Sequence, residues 1–149
     1  MDFLAISDAL ISASSEHSSV AAAKRVRMDN YFDFSCAWAA GQTDVRPWVQ
    51  FNMREVVTVW GVIMKPRCDP PYDVQRVLSY QLEKSDNGNS WSEASDVITA
   101  DYSFDETSIS WLSHPAKAQY WRIAVISSQV HPSMKADLIG KGRLQCLLW

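Results

Sequence analysis

The sequence predicts an all-β fold, an antiparallel β-sandwich or jelly-roll barrel, and three observations carry that reading. Apolar residues alternate with polar ones in several short runs, as at Leu78, Tyr80 and Leu82 against Ser79, Gln81 and Glu83, the period of a half-buried strand. Turn signals separate the runs: Asn87-Gly88 after one strand, and the proline-rich stretch Pro66 to Asp73 after another, since Asn-Gly tolerates positive φ and proline cannot donate to a ladder. Helical periodicity is almost absent. Many short strands with turns between them are the mark of a sandwich or barrel.

Taken in order, Leu10 to Ser14 reads as a short opening strand and Ser15 to Ser19 as a polar loop. Val20 to Val26 supports a helical turn and nothing longer. Asp29 to Pro47 is an extended irregular stretch holding Tyr31, Phe32, Phe34, Trp38 and Gly41. Trp48 to Met53 alternates cleanly and is a strand. Val56 to Met64 is β-branched and nearly all apolar, the composition of a central buried strand. Val77 to Ser85 is a strand that reverses at Asn87-Gly88, with Trp91 where the chain re-enters the fold. Val97 to Thr99 and Thr107 to Leu112 are weaker strands flanking the acidic loop Asp101 to Glu106. Tyr120 to Ile126 is strong, Ser127 to Ser133 is a polar loop, and Met134 to Ile139 closes the run. Residues 1–141 are expected to form one domain and residues 142–149 a tail.

The 149 residues are 47% hydrophobic, enough for one domain with a sizeable core. Net charge is −3 with both signs interspersed, so there is no basic stripe of the kind nucleic acid requires. No apolar run approaches the roughly 20 residues of a membrane-spanning helix. The N-terminus lacks a basic region followed by a long apolar one and does not read as a signal peptide. That fits a cytosolic protein or a mature or excised domain. Three cysteines, Cys36, Cys68 and Cys146, cannot all pair within one chain, and no C-x-x-C suggests zinc. The histidines, His17, His114 and His131, form no H-E-x-x-H, and neither G-x-S-x-G nor a phosphate-binding loop occurs. The chain is therefore not expected to be an enzyme.

The ordered set of strands resembles the discoidin domain, also called the coagulation factor V/VIII type C domain, over about Leu10 to Gly140. Leu10 to Ser15 looks like that family's "ITASS" strand, Ala37-Trp38 like its "AW", and Trp48 to Met53 like "WLQVDL". Val57-Thr58 through Ile63 matches "VTGI". Ser79 to Leu82 with Ser85 to Gly88 and Trp91 matches "SYxLxYSxDGxxW". Tyr120 to Ile123 and Met134 to Gly140 match "RYIRI" and "LRLELIG". The resemblance implies a galactose-binding-like β-sandwich, makes Asn87-Gly88 the family's hairpin turn, and gives Trp91 and Arg122 packing roles. Members commonly close the domain with a disulfide between a cysteine before the first strand and one after the final glycine. Here Lys141 follows Gly140 and no cysteine precedes Ser12, so that bond is missing. The resemblance puts Cys36 and Cys68 in loops at one end of the fold, and the sequence leaves their pairing open.

What the resemblance implies for function is ligand recognition by loops at one end of the barrel, here Ser15 to Ser19, Trp38 to Pro47 and Pro66 to Asp73. Loops on a rigid scaffold are also where binding residues are expected on physical grounds. Glu16 and His17 offer an acceptor and a donor to sugar hydroxyls, against an ordinary solvated loop. Asp44 and Arg46 offer a polar clamp, against a surface pair contributing under ~1 kcal/mol. Trp38 offers a stacking face, although packing is favoured for it. Arg67, Asp69 and Tyr72 make the third loop charged and aromatic, and Pro66, Pro70 and Pro71 pre-order it, lowering the entropy cost of binding. This loop is the strongest candidate. The expected ligand is a glycan or glycoconjugate. The alternatives are a protein partner, of adhesion or receptor type, and a phospholipid surface met by Tyr31, Phe32 and Phe34. No cofactor or catalytic residue is expected. A structural calcium at Asp101, Asp105 and Glu106 is the weaker reading, because their spacing fits no EF-hand and a solvated acidic turn accounts for them. The resemblance places the protein outside the cell or on its surface, while the missing leader leaves the cytosol open.

Overall fold

The structure, a computed structural model, describes Leu4, residues 7–28 and residues 36–141. The aromatic trio Tyr31, Phe32 and Phe34, and the tail with Cys146, lie outside the described residues. The strands are β1 (Ile11–Ala13), β2 (Trp38–Ala39), β3 (Trp48–Lys65), β4 (Arg76–Ser85), β5 (Ser92–Glu93), β6 (Ile98–Thr99), β7 (Ser108–Gln129) and β8 (Ser133–Lys141). Every pairing between them is antiparallel. The hydrogen-bonded order is β2-β8-β3-β7-β4-β5, with β1 added to β3 and β6 to β4. The expected helical turn at Val20 to Val26 is two short 3-10 turns, Ser19–Ala21 and Ala23–Val26.

Two strands are longer than their sequence patterns suggest. The runs Trp48 to Met53 and Val56 to Met64 are one strand, β3, whose register with β7 shifts between Asn52 and Val57. Arg54 takes φ 64° inside that shift, and its amide is held by the Asn52 side chain at 2.9 Å. An irregularity of this kind bends a strand and re-aims its faces. The first half of β3 thus meets β1, while the second half meets β8. Likewise Thr107 to Leu112 and Tyr120 to Ile126 belong to one strand, β7. Pro115 lies within it because the ladder passes from Gly61↔Trp111 to Val59↔Ala116, leaving residues 112–115 outside the pairing. Proline is tolerated where no ladder donor is needed.

The core follows from the alternation. Trp38, Val49, Val59, Tyr80, Leu82, Trp121, Ile123, Met134 and Leu138 are buried, and all belong to one cluster. Each large apolar side chain taken from water contributes about 1.5–3 kcal/mol. Both interior indoles find acceptors: Trp38 Nε1 donates to the Ser15 carbonyl at 2.9 Å and Trp121 Nε1 to the Ala118 carbonyl at 3.0 Å. Burial pushes the Tyr80 phenol up to about 12, and a hydrogen bond with Ser110 offsets part of that shift.

Asn87-Gly88 does reverse the chain, but within a longer loop than a two-residue turn. β4 and β5 pair at Lys84↔Ser92, and only Gly88 takes positive φ, 79°. The Asn87 side-chain oxygen accepts from the amides of Asn89 and Ser90, at 2.8 and 2.9 Å, and Ser85 Oγ accepts from the Gly88 amide at 2.9 Å. Trp91 packs outside the main cluster. The Arg122 guanidinium lies between Trp91 and Trp48, 4.0 and 3.8 Å from the two rings, and its Nε donates to Gln50 Oε1 at 2.9 Å. The desolvation that lowers the Arg122 pKa is partly offset by Glu83.

Gly140 marks the closest approach of β8 to β3. A Cβ at that position would run into the Thr58 carbonyl oxygen, a backbone atom that cannot rotate away. Gly140→Ala is expected to lower the unfolding free energy by about 1–3 kcal/mol, the usual cost of overpacking. Urea denaturation of the two proteins measures it, and equal midpoints would remove Gly140 from this role.

Candidate functional site

Three loops meet at one end of the barrel, and a carboxylate joins two of them. Asp44 Oδ2 accepts from the Ser14 hydroxyl at 2.5 Å and the Ser15 hydroxyl at 2.6 Å, while Oδ1 accepts from the Arg46 amide at 3.1 Å. Both serines also accept backbone protons: Ser14 Oγ from the Trp48 amide and Ser15 Oγ from the Gly41 amide, each at 2.9 Å. Partial burial opposes ionisation of Asp44, but the three hydrogen bonds outweigh it and hold the carboxyl below its ordinary value. The exit of β1 and the loop before β3 are therefore one polar network. The Asp44–Arg46 clamp expected from sequence does not form between side chains, because the Arg46 guanidinium reaches Glu83 instead, at 3.5 Å.

The third loop is tied by its own side chains. Arg67 Nε and Nη2 donate to the two oxygens of Asp69 at 2.7 and 2.9 Å, a bidentate fork of the strongest type arginine makes. Arg67 Nη1 donates to Gln75 Oε1 at 3.3 Å, and the guanidinium lies 4.5 Å from the centre of the Tyr72 ring. The Tyr72 amide donates to the Asp69 carbonyl at 2.8 Å, and the Pro70–Pro71 bond is cis. A disulfide joins Cys36 to Cys68 with Cα atoms 5.9 Å apart, so the pairing that sequence left open links this loop to the segment leading into β2.

Between these loops lies a cleft of about 480 Å³. Of the residues picked out from sequence, His17, Arg67 and Tyr72 line it. The others stand elsewhere. Trp38 is fully buried and has no exposed face to stack on a ligand. Glu16 accepts from the Ala23 amide at 2.5 Å, Asp69 stands behind Arg67, and Asp44 and Arg46 serve the contacts described above.

Sequence reasoning missed other parts of the wall, among them Gln42, Gln75, Val130 and His131. His131 Nε2 lies 2.7 Å from the Ala40 carbonyl. A carbonyl only accepts, so Nε2 carries the proton. The rings of His17 and His131 meet edge to face, 5.7 Å between centres. Val130 is exposed and takes φ 65°, an outlier for a β-branched residue of the kind that persists where the surroundings impose it. The only advance signal was the Val-His-Pro tripeptide inside a loop otherwise read as polar.

Elsewhere, Asp101 Oδ1 accepts from the Ser103 amide and hydroxyl at 2.9 and 2.6 Å, and Glu106 pairs with Arg76 at 3.2 Å. Among the described residues no group of three or more His, Cys, Asp or Glu is placed to hold a metal ion. A smaller depression of about 190 Å³, walled by Asp96, Val97, Ile98 and Trp111, shares no residue with the main cleft.

Comparison with known proteins decides the family. The F5/8 type C domain model matches residues 10–138. The chain belongs to the F5/8 type C, or discoidin, domain family. The human and mouse EGF-like repeat and discoidin I-like domain-containing protein 3 are 26% identical over 113 residues, covering 70% of this chain and 23% of theirs. Discoidin II of Dictyostelium discoideum superposes with a TM-score of 0.77 at 17% identity, over 89% of this chain and 55% of that one. A Clostridium perfringens module solved in complex with GalNAc-β-1,3-galactose has a TM-score of 0.70 at 14% identity, over 87% of this chain and 94% of that one. This F5/8 type C chain thus spans about half of discoidin II and under a quarter of the curated relatives it matches.

The Asp44 network gives an acid test. Its contribution to stability is full above the ordinary aspartate value of about 3.9 and is lost as pH falls through the lower folded value. Asp44→Ala is expected to cost about 2 kcal/mol at pH 7, from charge-assisted hydrogen bonds, and progressively less below pH ~4. Thermal unfolding from pH 7 to pH 3 checks it. A penalty that does not shrink in acid would place the stabilisation elsewhere.

Proposed function

We propose that the chain is a non-catalytic ligand-binding module and that its ligand is a glycan, held in the cleft between the three loops. The observation that carries this is the wall itself. Side chains from separate loops bring hydrogen-bonding groups (His17, Gln42, Arg67, Gln75 and His131) around the half-exposed ring of Tyr72. Concave sites that combine an apolar surface with a few convergent polar groups suit small polyhydroxylated ligands. The wall is also held in place before any ligand arrives, by the disulfide, the Arg67–Asp69 fork and the Asp44 network, which reduces the ordering cost of binding. The sugar-bound Clostridium perfringens neighbour supports the reading through the shared fold.

The same features support placement outside the cell or on its surface, since disulfides persist in oxidising compartments.

A glycan array probed with the purified chain, with and without chelator, is expected to show a defined set of related sugars in both arms. Tyr72→Ala, which removes a half-exposed ring and its stacking contact with Arg67, should weaken the leading ligand by about tenfold, on the scale of ~1–2 kcal/mol for one aromatic platform. A blank array from protein shown to be folded overturns the glycan reading. Undiminished affinity in Tyr72→Ala moves the site out of this cleft.

A further inference from the structure

We propose that the cleft selects a sugar bearing a carboxylate, a uronate or a sialate, over its neutral counterpart. The inference rests on the glycan reading above and names the chemical class of the ligand.

It starts from what the wall lacks. Three acidic residues singled out from sequence at this end of the barrel each have a partner within the protein, and a fourth, Asp73, is exposed and does not line the cleft. Glu16 takes the Ala23 amide, Asp44 takes two hydroxyls and an amide, and Asp69 takes two N–H groups of Arg67. None of the three lines the cleft, whereas Arg67 does. The Arg67–Asp69 pair is therefore oriented, with its positive member in the wall and its negative member behind. Among the described residues, the ionisable side chains in the wall are Arg67, Tyr72, His17 and His131, and no carboxylate is among them. Sugar hydroxyl protons still find uncharged acceptors. His131 carries its proton on Nε2, which leaves Nδ1 to accept from a hydroxyl when the ring is neutral.

The guanidinium geometry points the same way. Arg67 directs Nε and one proton of Nη2 to Asp69, and one proton of Nη1 to Gln75. One N–H then remains on each terminal nitrogen without a partner among the described residues. Paired donors on a planar guanidinium match the two oxygens of a carboxylate, the pairing that distinguishes arginine from lysine. The fork is already fixed by Asp69, Gln75 and the Tyr72 ring, and its side chain is only 10% exposed. A ligand carboxylate would meet a donor pair that needs no reordering and is partly shielded from solvent. A hydroxyl, with one oxygen and no charge, uses only half of it.

The test compares matched probes on the intact chain: the methyl glycosides of galactose and galacturonate, of glucose and glucuronate, and lactose against sialyllactose. Affinities are measured by calorimetry at low and at physiological salt. In the best-bound pair the acid is expected to be about tenfold tighter, the scale of one charge-assisted hydrogen bond over a neutral one. That margin should narrow as salt rises. Two variants make the assignment specific. Arg67→Gln should abolish the margin or invert it, because it leaves Asp69 as an uncompensated negative charge. Asp69→Asn should widen the margin, because it removes the charge that partly neutralises Arg67; a merely structural loop residue would not have that effect. Neutral and acidic members bound equally by the wild type would overturn the inference and leave the glycan reading standing. No binding of any probe or array glycan by folded protein would overturn both. Should Arg67→Gln fail to fold, an unchanged or smaller margin in Asp69→Asn still contradicts the proposal.

Discussion

The Asp44 carboxylate sets the shape of the end of the barrel that holds the cleft. It accepts from both Ser14 and Ser15, and those hydroxyls in turn hold the amides of Trp48 and Gly41. One ionised group thereby fixes where the chain leaves β1, where it enters β3, and how the intervening loop lies. His17 follows two residues after Ser15 and is pinned by its amide to the Ala39 carbonyl at 2.8 Å. Gln42 follows Gly41. Two walls of the cleft are therefore placed by one carboxylate that never reaches it. Acidic groups bonded within the protein rather than lining the cleft recur at Glu16 and Asp69.

The barrel supplies the rigidity on which that arrangement stands. β3 and β7 run 18 and 22 residues with irregularities where they must bend, and β8 packs against β3 closely enough that Gly140 has no room for a side chain. β7 and β8 are joined by the short turn that presents Val130 and His131. On the opposite wall the Cys36–Cys68 bond and the Arg67 fork hold the third loop. The family's usual closing disulfide has no counterpart at Lys141, and here a bond between Cys36 and Cys68 lies at the cleft end instead.

Much of this was legible from sequence because strand alternation reports burial directly. Tyr80 and Leu82 are in the core and Ser79 is not, but Leu78, read as the same face, is exposed and Val77 is buried instead, because the register with β7 shifts between Val77 and Tyr80. What stayed hidden depends on tertiary geometry. The joining of Thr107 to Leu112 with Tyr120 to Ile126 was obscured by Pro115, which is accommodated only because β3 leaves residues 112–115 unpaired. Asn87-Gly88 was read as the turn, yet the loop is organised by side-chain acceptors on Ser85 and Asn87 that no dipeptide rule contains. Trp91 was assigned to packing, and its partner is a cation on the sheet rather than the core. At the site, residue type identified His17, Arg67 and Tyr72. It did not separate them from Glu16, Asp44 and Asp69, because a carboxylate reads the same in sequence whether it faces a ligand or a neighbouring amide. His131 enters only because β8 folds back beside β2.

The most direct test of the account is to map where ligand touches the protein. Isotopically labelled chain is titrated with the best-bound array glycan while its backbone amide resonances are followed. The account predicts that the largest shifts fall together on His17, Gln42, Arg67, Gln75, Val130 and His131, with the Trp111 depression and the Trp48–Arg122–Trp91 stack unmoved. Shifts centred on either of those surfaces, with the cleft residues silent, would contradict it.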